Sequence, residues 1–159
     1  MTVALQTQHS DRARLTATST LQKLLPELVA LSLDAKQAHW NVTGPAFLPL
    51  HALTDEIAAD ARAWADRVAE RAVAAGVDQG FAVDARPGAV AATASLFPTG
   101  RLTDQEAITE LIALVERVAA TARDTLGDLD QTDPVAHNLT LEILEGLDKY
   151  RWMLRAQTM

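Results

Sequence analysis

An all-α fold, four long helices with one long crossover, is predicted by three features of this 159-residue chain. Helix formers dominate, with 48% hydrophobic residues, Ala and Leu abundant, and only 4% aromatic. The seven glycines and six prolines fall mostly at the edges of segments with helical spacing. A single long irregular stretch, residues 76–100, divides the chain into two halves, which suits a crossover bundle better than one with short loops throughout.

The first helix is expected to start near Thr18 or Ser19 as a cap and to carry Leu21, Leu24, Leu25, Leu28 and Leu31 on one face until Gly44, with Pro26 in its first turns and residues 1–15 as an N-terminal tail. The second opens between Pro45 and Pro49, where proline suits the first turn, and ends at Gly76 as the C′ residue. Between Gly76 and Gly100 a short helix is expected within AVAATASLF. The third long helix starts at Thr103, with Glu106 three positions on as in a capping box, and runs to about Gly127. The fourth starts at Asp133–Pro134, an acceptor cap followed by a proline, and runs almost to Met159. The whole of 16–159 reads as one domain, without repeats or low-complexity tracts.

Composition excludes several functions. No apolar run approaches the roughly 20 residues of a membrane-spanning helix. The net charge of −7 disfavours a surface built for nucleic acid and suits cations instead. With no cysteine, thiolate metal sites, iron–sulfur clusters and thiol nucleophiles are excluded, so a metal must be held by His, Asp or Glu. The opening MTVALQTQHSDRAR does not read as a secretory signal, and a cytoplasmic location is expected.

The chemistry concentrates on the second helix. At about 100° per residue, His51, Asp55, Asp66 and Glu70 fall at roughly 0°, 40°, 60° and 100° around the axis, on one stripe. Yet His51 and Glu70 lie about 28 Å apart along that helix, so two half-sites are implied. The pairs His51/Glu70 and Asp55/Asp66 share a midpoint between Asp60 and Ala61. A two-fold axis there would bring His51 and Asp55 of one subunit to Asp66 and Glu70 of the other, twice per dimer. Ala58, Ala59 and Arg62 lie between the pairs, small side chains for the most part, and His39 would complete each site from the His51 side. Asp and Glu four apart usually mark only a solvated face. What favours a metal site is the shared face and midpoint, together with Trp40, Phe47 and Trp64, expected in the same region, Trp40 being equally readable as a core aromatic.

Residues 39–71, HWNVTGPAFLPLHALTDEIAADARAWADRVAER, resemble the signature of the Dps family, small ferritin-like proteins that protect bacterial DNA from iron and peroxide. The pattern H-W-N-V-x-G-x-x-F-x-x-L-H-x-x-x-D-E, followed eleven residues after its Asp by D-x-x-A-E-R, is matched completely, and the C-terminal LDKYRWMLRA resembles the family's last helix. The resemblance implies a ferritin-like bundle assembling into a hollow dodecamer, with intersubunit ferroxidase ligands at His39, His51 and Asp55 of one chain and Asp66 and Glu70 of its two-fold mate. It implies oxidation of Fe²⁺ by hydrogen peroxide or O₂, storage of ferric mineral, and protection against oxidative stress and starvation. Trp40 resembles the family's site tryptophan, placed to shield the site or absorb a stray oxidising equivalent. No His follows a Glu by three positions, so the Glu-x-x-His site of the larger ferritins is missing. The resemblance also implies acidic three-fold pores admitting iron near the turn between the last two helices, with Asp124 and Asp128 as candidates; Asp130 and Asp133 lie nearby, Asp133 as a helix cap. DNA binding in the family usually relies on a Lys/Arg-rich tail, which neither end of this chain supplies, so a nucleoid-compacting role is the alternative and direct DNA binding is doubtful.

Overall fold

The computed structural model describes residues 2–93 and 97–158, with side chains from Ser10 onward. Helix α1 runs Thr2–Asn41 and α2 Phe47–Gly76, joined by the two-residue strand β1, Val42–Thr43. A 3₁₀ turn, Val77–Gln79, the short helix α3, Pro87–Ala91, and the strand β2, Leu102–Thr103, make up the crossover. Helices α4, Asp104–Thr132, and α5, Pro134–Arg155, complete the chain.

Helix α1 packs on α2 and α4, and α5 on α4 and α2. The short β1 pairs in parallel with β2, Val42 opposite Leu102 and Thr43 opposite Thr103, so the crossover returns to the end of the bundle where α2 began. Leu21, Leu24, Leu28 and Leu31 of α1 meet Leu50, Ile57 and Val68 of α2, Leu111 and Val115 of α4, and Ile143, Leu147 and Leu154 of α5 in one core. No helix among the described residues is long and apolar enough to cross a membrane.

The boundaries expected at Asp133–Pro134 and Thr103 hold. Thr103 Oγ1 accepts from the Glu106 amide while the Glu106 carboxylate accepts from the Thr103 amide, closing a capping box. Asp133 accepts from the amides of Val135 and Ala136, with Pro134 between. Helix α4 runs past Gly127 to Thr132.

The start of α1 differs from expectation. Thr18 and Ser19 do not cap it; their hydroxyls donate to the Leu15 and Thr16 carbonyls three residues back, and the helix continues upstream through the segment expected as a tail. Arg14 pairs with Asp78 and Gln79 donates to Asp11, tying this extension to the 3₁₀ turn that follows α2. Pro26 therefore lies mid-helix, leaving the Gln22 carbonyl without its usual i+4 donor. Gly76 is required for space rather than for a left-handed turn. A Cβ there would sit 2.5 Å from that of Phe81 and 2.8 Å from a Thr18 methyl, whereas the left-handed residue is Gly80 at φ +66°. The short crossover helix begins before the expected AVAATASLF, at Pro87, and residues 94–96 of that stretch lie outside the described residues.

Candidate metal centre

The α1–α2 hairpin brings His39, near the end of α1, opposite His51, in the second turn of α2. The imidazoles stack with centroids 3.6 Å apart and planes 19° apart. Each ring binds the other residue's backbone: His39 Nδ1 lies 2.7 Å from the His51 carbonyl oxygen, and His51 Nδ1 lies 2.9 Å from that of His39. A carbonyl can only accept, so both Nδ1 atoms carry protons and, in the neutral rings, both Nε2 lone pairs are left for a ligand. This reciprocal brace fixes tautomer and orientation, the task that outer hydrogen bonds perform for metal-binding histidines.

Asp55 lies one turn beyond His51. Lys36, one turn before His39, reaches across the hairpin and donates to Asp55 Oδ1. This contact chiefly holds the Asp55 carboxyl below its ordinary range; burial opposes the shift, and the charge of Lys36 and then of the two imidazoles adds to it. His39, His51, Ala52, Asp55, Glu56 and Ala59 line an open depression of about 370 Å³. The ring of Phe47 lies 5.1 Å from that of His51.

Asp66 and Glu70 are exposed on the same helix farther on, and neither has a hydrogen bond or ion pair among the described residues. Glu70 borders a groove beside Arg67 and Arg71, but both cations are engaged: Arg67 with Glu142 at 2.5 Å, and Arg71 in a fork on Asp133 at 2.7–2.9 Å. No three His, Asp or Glu side chains among the described residues converge on one point. Within one chain His39, His51 and Asp55 line the same depression without converging on a common point, and Asp66 and Glu70 stand apart from them, roughly 28 Å from His51 to Glu70 along α2.

Three expectations about the surroundings are corrected. Ala58 is wholly buried in its own bundle and cannot face a partner; Ala59 and Arg62 are exposed. Trp64 lies on the buried face of α2, where Gly146 makes room for its indole: a Cβ there would come within 2.4 Å of Trp64 Cζ2. Trp40 is 70% exposed and is no core aromatic; with Phe47 and the 73%-exposed Leu48 it leaves apolar surface beside the histidines. An isolated wheel plot misplaces Ala58 because it does not show which arc the other helices cover.

Asp124 and Asp128 share a groove of about 220 Å³ with Thr20, Lys23, Thr121 and Thr125, and the Thr20 hydroxyl donates to Asp128 at 3.2 Å. Asp130 accepts from Gln131. Asp133 is only 4% exposed, occupied by the cap and by Arg71, which makes it structural. Sequence reasoning missed Lys36, whose position three residues before His39 was the available signal. It also missed Asp104, which accepts from the Ala46 amide at 2.9 Å and secures the turn between the two histidines.

A family model described as a ferritin-like domain matches residues 18–158. The chain is 36% identical over 138 residues to DNA protection during starvation protein 2 of Deinococcus radiodurans, covering 86% of this chain but 56% of that relative, just over half its length. It is 32% identical over 149 residues to the DNA protection during starvation protein of Agrobacterium fabrum, covering 92% of this chain and 90% of that one. Among solved structures, Dps from Microbacterium arborescens in the high iron form superposes with a TM-score of 0.85 at 31% identity, over 92% of this chain and 94% of the other.

Proposed function

The chain belongs to the Dps proteins of the ferritin-like family, and on that premise we propose that it is a ferroxidase that takes Fe²⁺ to Fe³⁺ at sites shared between two subunits and stores the ferric product inside a hollow dodecamer. The observation that carries this reading is the separation, along α2, of His51 and Asp55, braced by His39 of α1, from an unpartnered Asp66/Glu70 pair. An antiparallel copy of the same helix supplies each half with its complement.

The donor set suits iron as substrate. Imidazole nitrogens and carboxylates hold Fe²⁺ while leaving exchangeable positions, and carboxylates accommodate the added charge of Fe³⁺. His39 and His51 offer their Nε2 atoms from a fixed orientation, so little ordering is needed on binding. Two adjacent ferrous ions give one electron each to hydrogen peroxide, which with two protons becomes two waters. Paired delivery releases no hydroxyl radical, and this is the basis of protection. The acidic shell, with a net charge of −7 per chain, favours arrival of the cation, and Asp124 and Asp128 are our candidates for lining its route.

Complementation tests the shared site. A His39→Ala/His51→Ala chain and an Asp66→Ala/Glu70→Ala chain should each form shells with rapid Fe²⁺ oxidation lost. Co-assembled in equal amounts, half the dimers are mixed and each mixed dimer holds one intact site of two, so about a quarter of wild-type activity should return. Full activity of either parent, or no recovery in a verified mixture, would contradict the proposal.

A further inference from the structure

Tyr150 is the only tyrosine of the chain, which has three tryptophans and no cysteine. It is 2% exposed in the seam between α5 and α2, and its hydroxyl donates to Asp60 Oδ2 at 2.6 Å. Its ring centroid lies 6.3 Å from that of Trp64, whose indole occupies the space left by Gly146. Asp60 is exposed and stands between the two half-sites of α2, about 7.5 Å along the axis from Asp55 and about 9 Å from Asp66. A buried phenol with a charge-assisted contact to a carboxylate open to solvent has a use beyond holding two helices together.

We propose that Tyr150, with Trp64 beside it and Asp60 as proton acceptor, is a sink for one-electron oxidants of the hydroxyl-radical class. One electron passes from Tyr150 to the oxidant, directly or by way of Trp64, while the phenolic O–H bond breaks and its proton crosses to Asp60 Oδ2. The products are a neutral phenoxyl radical, a neutral Asp60 carboxyl and, from hydroxyl radical, hydroxide. The base is essential because a phenol that loses an electron without losing its proton becomes a cation, which a buried site disfavours. Burial and the neighbouring carboxylate both raise the phenol's pKa, so Tyr150 rests protonated and the proton is present to move. With no thiol in the chain, aromatic residues are the natural sinks, and this is the one whose proton has a built acceptor. The step needs no iron, so it stands or falls separately from the ferroxidase reading.

The test uses the assembled, metal-free protein with a photo-oxidised ruthenium tris(bipyridine) complex as the one-electron oxidant, read by electron paramagnetic resonance and transient absorption. Wild type should show a tyrosyl signal, assignable to Tyr150 because no other tyrosine exists, and D₂O should slow its formation. Tyr150→Phe, which keeps the ring, should leave tryptophanyl radicals alone. Asp60→Asn, which keeps the side-chain size, should cut tyrosyl yield several-fold and lengthen the tryptophanyl lifetime. Only tryptophanyl signals in the wild type would overturn the proposal. So would an Asp60→Asn variant with unaltered tyrosyl kinetics and isotope effect, since a purely structural contact predicts that result.

Discussion

The turn between α1 and α2 can be tested by a single methyl group. Gly44 has φ +123°, outside the region open to L side chains, and a Cβ there would lie 2.8 Å from both Cγ and Oδ2 of Asp104. Gly44→Ala therefore carries backbone strain of about 1–3 kcal/mol. It also pushes away the carboxylate that accepts from the Ala46 amide, a charged hydrogen bond contributing about 1.5–3 kcal/mol. A partial loss of that bond gives a total of about 2–5 kcal/mol, which for a domain of this size is a fall in melting temperature on the order of 10 °C. The effect reaches the metal centre because the turn sets the register in which each imidazole finds the opposite carbonyl, so Co²⁺ binding by titration calorimetry should weaken as well. Asp104→Ala alone should lose the hydrogen bond but not the backbone geometry. In the double variant the clash is gone, and the combined loss should be smaller than the sum by about 1 kcal/mol or more. A Gly44→Ala protein melting within about 1 °C of wild type, or strict additivity in the cycle, would refute this reasoning.

Lys36→Met should tighten binding of the second Co²⁺ ion several-fold, because that ion no longer has to displace an ammonium from Asp55; weaker binding would show that Lys36 supports the site instead. Ala59→Trp should lower both subunit association, seen by light scattering, and iron oxidation, because Ala59 is the exposed small residue beside the ligand depression; a full-size, active shell would place the two-fold contact elsewhere. Asp84 is held down to about 2 by the side chain and then the amide of Arg86. Its folded pKa lies below the ordinary 3.8, so the crossover keeps this contact above about pH 4 and loses it as the pH falls toward 2; amide exchange at Arg86 should lose protection over that window, and unchanged protection would argue against it. Without clustered Lys or Arg, the shell should not retard linear DNA at physiological salt with chelator present, and a salt-sensitive shift would overturn that expectation.

The parts of the fold visible in the sequence were those set by local rules. Thr103 with Glu106, and Asp133 with Pro134, each specify a helix start through contacts a few residues apart, and both sit where their spacing placed them. The start of α1 was not visible, because a threonine hydroxyl can cap a helix or donate back into one; contacts of Arg14 and Asp11 with residues more than 60 positions away accompany the second outcome. The same distinction holds at the site. Helical period alone aligned His51, Asp55, Asp66 and Glu70. The histidine brace, the Lys36 contact and the tie from Asp104 to the Ala46 amide depend on two chain segments meeting, and no spacing along a single helix encodes them.

The charges of the proposed intersubunit site suggest why Lys36 belongs there. In that proposed site Asp55 from one chain would meet Asp66 and Glu70 from its mate, three carboxylates in all, and the Lys36 ammonium would reduce their total from three negative charges to two. A first ferrous ion then neutralises the site while Lys36 stays in place. A second adds two positive charges beside the first, and an ammonium on Asp55 becomes a repelling neighbour rather than a counter-ion. Its release frees a carboxylate oxygen as the second ion arrives, so filling the site and vacating Asp55 favour one another. The lysine is well placed for such an exchange. Its side chain is 21% exposed, and its ammonium rests on Asp55, a residue that lines the depression. On this account Lys36 keeps the empty site from holding three uncompensated carboxylates during assembly, and it makes the paired ferrous state, the one that gives peroxide both electrons, the state in which Asp55 is free to serve iron.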